Sequence, residues 1–191
     1  MNSLKGTRTE KNIMTAFAVE SQTRNRYAFF ASKAQNEGFV QIADVFLETA
    51  EQEKEHAKCL FKFLEGGEVE ITASFPADII DTTEANLIAS AAGEKYEHTI
   101  MYPFYAKIAS EEGFNELAAV MRGIVAAEVY HEKRFLAFAK NIKEGHMFAR
   151  EQTVSWRCRY CGHVHVGLGA PEACPVCSRS KTYFEVLCMN W

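Results

Sequence analysis

A chain of 191 residues, 48% hydrophobic and 24% charged, has the composition of one globular domain, or of a domain with a small appendage. That balance excludes intrinsic disorder, and the scarcity of Gly (11) and Pro (4) excludes collagen-like or low-complexity sequence. The formal net charge of −4 argues against nucleic acid as the main partner. No apolar run reaches the roughly 18 residues of a membrane span, and the polar stretch Met1–Lys11 has no secretory core. A cytoplasmic protein is expected.

Residues up to about 146 are rich in Ala, Glu, Lys, Phe and Leu and read as helical. Thr7-x-x-Glu10 before Ile13 is a capping-box pattern that starts a first helix, expected to run to about Asn36 before Gly38. A second helix, from about Phe39, is expected to end at Gly66-Gly67. Residues 68–80 form a long crossover, and Asp81-x-x-Glu84 caps a third helix reaching about Glu112. Gly113 separates it from a fourth helix ending near Gly145. The expected fold class is therefore an all-α four-helix bundle with a long crossover between helices two and three. Beyond Arg150, Trp156, Tyr160, Tyr183, Phe184 and Trp191 are interleaved with Gly and Cys. So short a segment cannot hold itself together by core alone, and a structural metal is expected. The expected division is 1–148 and 149–191.

The helical part repeats itself. Tyr27-Ala-Phe-Phe-Ala-Ser-Lys-Ala-Gln-Asn-Glu-Gly-Phe39 matches Tyr102-Pro-Phe-Tyr-Ala-Lys-Ile-Ala-Ser-Glu-Glu-Gly-Phe114, so helices one and two look like a copy of helices three and four. Two such pairs packed together create a pseudo-twofold axis, and whatever lies on it is supplied symmetrically. The copies differ by one residue: Glu20 precedes Tyr27 by seven positions and Glu94 precedes Tyr102 by eight. A single extra residue in a helix is accommodated as a π-bulge, which predicts one between Glu94 and Pro103.

Glu53-Lys-Glu-His56 and Glu128-Val-Tyr-His131 occupy matching places in the two copies. Residues i and i+3 share a helix face, so each pair aims a carboxylate and an imidazole at one point. The partner helices add Glu20 and Glu94. One Glu-x-x-His alone would be ordinary solvated surface. A Glu from each of two helices plus a Glu-x-x-His from each of the others is the arrangement of a carboxylate-bridged di-iron or di-manganese core. Carboxylates bridge paired cations, and imidazole suits iron while leaving positions open for a small oxidant. Glu97 adds a carboxylate that reads equally as ligand or surface residue. Tyr27 and Tyr102, about two turns after Glu20 and Glu94, are placed either to hydrogen-bond those carboxylates or to fill the core. His98, His146, His163 and His165 have no matching partner and are expected at the surface.

The cysteines are unevenly spread. Cys158-Arg-Tyr-Cys161 and Cys174-Pro-Val-Cys177 form a tetrathiolate pattern, whereas Cys59 and Cys188 have no ligand spacing and read as packing residues. Four sulfurs in a tetrahedron hold zinc or iron, and spacing alone favours a structural zinc ribbon. Coupling to a redox-active bundle reverses that preference, because turnover needs an electron source and zinc has no redox chemistry.

The series Glu20, Glu53-x-x-His56, Glu94-x-x-Glu97, Glu128-x-x-His131, followed by the pairs Cys158/Cys161 and Cys174/Cys177, resembles the rubrerythrin family over essentially the whole chain. The resemblance implies a ferritin-like di-iron bundle followed by a rubredoxin-like domain, and three iron ions per chain. It implies that Glu97 and His56 exchange as ligands of one iron between oxidised and reduced states, with Tyr27 and Tyr102 supporting the carboxylates. It also implies a non-haem peroxidase that reduces hydrogen peroxide to water in oxidative-stress protection. The electrons would come from reduced pyridine nucleotide through a separate reductase or a rubredoxin, since the chain has no dinucleotide fingerprint. The rival reading is a ferroxidase or iron-storage subunit, and a pure electron carrier is a third. Thirteen residues separate His131 from Glu144, about 20 Å of helix, so the cysteine segment starts far from its own carboxylates. A head-to-tail homodimer is therefore expected, bringing each cysteine segment beside its partner's bundle.

Overall fold

The computed structural model describes residues 3–189; Trp191 lies outside them. Five helices and one π-turn build the first part: α1 (Arg8–Asn36), α2 (Val40–Phe61), α3 (Thr83–Tyr96), the π-turn (Glu97–Met101), α4 (Tyr102–Glu111) and α5 (Asn115–Lys143). Because α3, the π-turn and α4 run on from one another, the architecture is a four-helix bundle whose third member is broken once. The chain then forms β1 (Ala149–Cys158), β2 (Val164–Gly169) and β3 (Phe184–Val186), an antiparallel sheet in the order β2-β1-β3. No helix among the described residues is long and apolar enough to cross a membrane.

Local chemistry sets the helix ends. Thr7 accepts from the Glu10 N–H at 3.1 Å, and the Glu10 carboxylate reaches back to the Gly6 N–H at 2.7 Å. Thr82, not Asp81, caps α3 by accepting from the Ala85 N–H, while the Asp81 carboxylate accepts from the Thr82 N–H. The second helix stops at Phe61, before Gly66-Gly67, which take positive φ in the turn that follows. Gly38 is constrained twice. It ends α1 at φ 85°, and a Cβ there would meet Thr182 Cγ2 at 2.9 Å, so a larger residue would force the cysteine-bearing part to shift where it meets the α1–α2 corner. That seat is completed by stacking of Phe39 on Phe148 and by Arg159 donating to Asp44 at 2.6 Å.

The repeat is visible in three dimensions. Glu37, after α1, accepts from the Thr83 N–H and hydroxyl at 2.9 and 2.6 Å. Glu112, after α4, accepts from the Thr9 N–H and hydroxyl at 2.9 and 2.5 Å. Each helix pair thus caps the first helix of the other with a carboxylate at its positive end. The π-turn falls inside the predicted interval, where the second copy carries its extra residue. That turn lets Tyr102 face Glu20 as Tyr27 faces Glu94. Two apolar clusters flank the carboxylates, one around Tyr27, Phe46 and Phe135, the other around Ile13, Tyr102 and Met121.

Glu37→Ala and Glu112→Ala are each expected to cost about 1 kcal/mol. The two caps share no partner, so the double variant should lose close to the sum. Denaturant unfolding of the single and double variants checks both statements.

Candidate metal centre

Glu20, Glu53, Glu94 and Glu128 have no exposed surface at all, and Glu97 is 3% exposed. Each comes from the inward face of one bundle member: Glu20 from α1, Glu53 from α2, Glu94 from α3, Glu128 from α5, and Glu97 from the π-turn. Two groups of ligand atoms result, Glu20/Glu53/His56/Glu128 and Glu53/Glu94/Glu128/His131, each within 4.8 Å. Glu53 and Glu128 belong to both. His56 Nδ1 lies 2.9 Å from Glu53 and 3.0 Å from Glu128, and 3.9 Å from Glu20. His131 Nδ1 lies 2.8 Å from Glu128, 3.1 Å from Glu53 and 3.6 Å from Glu94. Glu97 stands in neither group, although its buried Oε2 has no hydrogen-bond partner.

The phenols orient two of these carboxylates: Tyr27 donates to Glu94 Oε1 and Tyr102 to Glu20 Oε1. Burial, reinforced by those carboxylates, pushes both phenol pKa values well above the ordinary value, so the tyrosines remain donors. The same burial, with repulsion between neighbours, raises Glu20, Glu94 and Glu97 well above the carboxylate range. Burial also opposes charge on Glu53, but the neighbouring imidazoles of His131 and His56 outweigh it and bring Glu53 to about 2. The imidazoles mirror this. Burial disfavours their charge, yet Glu128 and Glu53 overcome it and push His56 to about 10 and His131, which also meets Glu94, to about 12.

Glu20 Oε2, Glu53 Oε1, Glu94 Oε2, both oxygens of Glu128 and His131 Nδ1 are buried without a hydrogen-bond partner and converge on the bundle centre. Buried polar atoms are normally satisfied, and so many orphans aimed at one place are explained by cations. Oxygen donors with one imidazole per group fit two iron ions.

In the second centre, Cys158 Sγ lies 3.8 Å from Cys177 Sγ and Cys161 Sγ 3.5 Å from Cys174 Sγ, and all four sulfurs lie within 4.8 Å. Each Cys-x-x-Cys turn is closed alike, with Gly162 N–H donating to the Cys158 carbonyl and Ser178 N–H to the Cys174 carbonyl at 2.9 Å. Both closing residues have positive φ, 79° and 59°. Burial raises the Cys174 thiol, but backbone N–H groups of Cys177 and Val176 bring it down to about 7, which favours the thiolate a metal needs. Trp156, fully buried, forms the floor with Phe184 and donates Nε1–H to the Gly167 carbonyl at 3.1 Å.

Comparison with known proteins agrees with this donor set. The family model "Rubrerythrin" matches residues 11–139, and "Rubrerythrin, rubredoxin-like domain" matches residues 156–185. The chain belongs to the rubrerythrin family. It is 64% identical to rubrerythrin of Nitratidesulfovibrio vulgaris over 100% of both chains, and 54% identical to that of Porphyromonas gingivalis over 99% and 94%. Among solved structures it is similar to nigerythrin in its fully reduced, all-ferrous state, with a TM-score of 0.64 and 30% identity over 97% of this chain and 92% of the other. Symerythrin from Cyanophora paradoxa, at a TM-score of 0.63 and 24% identity over 75% and 89%, shares the ferritin-like fold. The cofactors are a di-iron pair held by carboxylates and histidines, and one mononuclear iron among the four cysteines.

Some expectations need correction. His98 is not a free surface residue: it is half-buried and its Nε2 lies 2.6 Å from Glu132 Oε2, a polar contact between the π-turn and α5. His146, 3.3 Å from Glu144, His163, just before β2, and His165, within it, are partly exposed. Cys188 is exposed rather than packed, lying past the end of β3, and Cys59 is half-buried. Gln52, whose side chain meets His131, was not foreseen; its signal was the mismatch with Ala127 at the equivalent place in the repeat.

Without metal, Glu20, Glu94, Glu97, His56 and His131 all have folded-state pKa values above those of the unfolded chain, whose reference values are 4.5 and 6.5. The stability that raised values contribute is complete below the unfolded pKa and is lost as pH climbs through the folded one. The melting temperature of the metal-free protein should therefore fall between pH 6.5 and about 10, the His56 value. Iron binding, which displaces these protons, should tighten over the same interval. Glu53 has the opposite sign and affects only the acid side, between 4.5 and about 2. Calorimetry of metal-free and loaded protein across pH checks this.

Proposed function

We propose that this protein is a peroxidase that reduces hydrogen peroxide to two waters, using electrons relayed one at a time from its rubredoxin-like iron. The observation that carries the reading is the presence, in one chain, of a two-cation carboxylate site and a one-electron tetrathiolate. Iron storage has no use for a dedicated electron inlet, and an electron carrier has no use for the buried carboxylates.

The overall reaction, H2O2 + 2 e⁻ + 2 H⁺ → 2 H2O, consumes two electrons, which a pair of ferrous ions supplies when bound. In this reading Glu53 and Glu128, common to both ligand groups, would hold both ions. Glu20 and His56 complete one position, and Glu94 and His131 the other. Tyr102 and Tyr27 keep Glu20 and Glu94 oriented by donating to one oxygen of each. Glu97 and His56 would alternate as the ligand that completes the Glu20 position between oxidised and reduced states. In the metal-free chain it is His56, and not Glu97, that is grouped with Glu20, Glu53 and Glu128. When Glu97 is not a ligand, burial and the neighbouring Glu94 favour its protonated form, so Oε2 takes up a proton on leaving and gives it back on returning.

Reductant is to be delivered by a separate protein oxidising reduced pyridine nucleotide. The Cys-bearing segment seats at Gly38 and Asp44, at the bundle end where α2 starts, while Glu53 lies nine residues further along α2, about 14 Å at 1.5 Å per residue. A head-to-tail homodimer would shorten the route by laying each tetrathiolate beside the partner's bundle. Mixing a variant lacking Cys158 and Cys161 with one lacking Glu53 and Glu128 should restore peroxidase activity. Mixtures as inactive as their parents would show that electrons stay within one chain.

With a chemical or enzymatic reductant, the holoprotein should consume peroxide in proportion to reductant at constant protein-bound iron. Uptake of added ferrous iron into a growing mineral would instead support the ferroxidase alternative. His56→Ala should remain folded and iron-loaded in the oxidised state yet turn over more slowly. Glu128→Ala, which removes a ligand common to both groups, should fail to retain the iron pair. Equal iron content and equal activity in the two variants would contradict the assignment.

A further inference from the structure

The pseudo-twofold is broken at one place beside the di-iron ligands. His131 turns Nδ1 toward Glu128, Glu53 and Glu94, and on its far side Nε2–H donates to Gln52 Oε1 at 2.9 Å. Arg134, three residues further along α5, donates Nη2–H to Thr49 Oγ1 at 2.6 Å and Nη1–H to Glu48 at 2.8 Å. Its guanidinium also lies 5.2 Å from the Tyr130 ring centre. On the His131 flank, α2 and α5 are therefore stitched together by polar side chains.

The repeat pairs Glu53 with Glu128 and His56 with His131, so the counterparts of Gln52, Thr49 and Glu48 are Ala127, Ile124 and Gly123, and that of Arg134 is Cys59. No side chain among the first three carries a hydrogen-bonding group, and Cys59 has no guanidinium. Accordingly His56 has no hydrogen-bond partner at Nε2 among the described residues, and its side chain is 16% exposed against 2% for His131. Two imidazoles in equivalent places have unequal support.

We propose that Gln52 is a positioning residue for the di-iron site. Its carbonyl oxygen fixes the His131 tautomer and ring plane, so that Nδ1 stays aimed at its iron, whereas Ala127 leaves His56 free to turn away. Outer partners of this kind set ring orientation and ligand basicity. The inference rests on reading His56 and His131 as iron ligands, and it assigns the difference in their support to one broken position of the repeat.

The ring N–H protons of iron-bound imidazoles, shifted by the metal in NMR spectra of the diferrous holoprotein, provide the test. Two such signals are expected, with His56→Ala removing one and so identifying both. The His131 signal should exchange slowly with water and the His56 signal quickly. In Gln52→Leu, of similar size but without an acceptor, the slow signal should exchange about tenfold faster, with about tenfold weaker retention of one iron against a chelator. Gln52→Glu, which keeps an acceptor at the same reach, should restore slow exchange, and Ala127→Gln should slow the His56 signal. An unchanged slow signal in Gln52→Leu, no recovery in Gln52→Glu, or an unaltered His56 signal in Ala127→Gln would each overturn the proposal. Absence of both shifted signals from the unsubstituted protein would instead remove the imidazoles from the ligand set, and the proposal with them.

Discussion

Five buried carboxyl groups meeting at the centre of a small helical bundle are the constraint on which the rest of this molecule depends. An ionised carboxylate taken out of water costs several kcal/mol unless it is paired. A domain has only about 5–15 kcal/mol of net stability to spend on such groups. Glu20, Glu53, Glu94, Glu97 and Glu128 can thus share one interior only with protons or cations among them. The two imidazoles and the raised carboxyl pKa values are the response of the metal-free chain to that demand. Iron answers it more completely, because the orphaned oxygens then become ligands.

Symmetry supplies the geometry economically. One helix pair, used twice, brings a Glu and a Glu-x-x-His from each copy to a common axis, and the same repeat carries the Glu37 and Glu112 caps and the Tyr27 and Tyr102 donors. Departures from the repeat carry the functional asymmetry. The π-turn follows the second copy's Glu94, and its first residue, Glu97, stands where the first copy has Thr23, which is buried but offers no carboxylate. Gln52 stands opposite Ala127. One departure thus adds a buried carboxyl beside Glu20 and Glu94, and the other withholds support from His56.

Much of this was legible beforehand because strong local signals carried it. Caps and glycines mark the four helices, the Glu-x-x-His spacing fixes a shared face, and the one-residue difference between copies locates the π-turn. Boundaries set by competing caps were less legible. Thr82 displaced Asp81 as N-cap, because the Asp side chain instead accepts from the Thr82 N–H. Features made by contacts between distant segments left little local trace, as with the His98–Glu132 pair and the hydrogen bonds from Arg134 to α2. The exposure of Cys188 depends on how the chain leaves β3, which no periodicity reports.

Diffraction from crystals of the iron-loaded protein, recorded on both sides of the iron absorption edge, bears most directly on the central claim. The account requires two anomalous peaks inside the bundle, each in contact with both Glu53 and Glu128, one reached also by Glu94 and His131, and a third among Cys158, Cys161, Cys174 and Cys177. Density confined to the cysteines would mean that the buried carboxylates are neutralised by protons alone, and a single peak in the bundle would mean that one cation suffices; either result would contradict a di-iron centre.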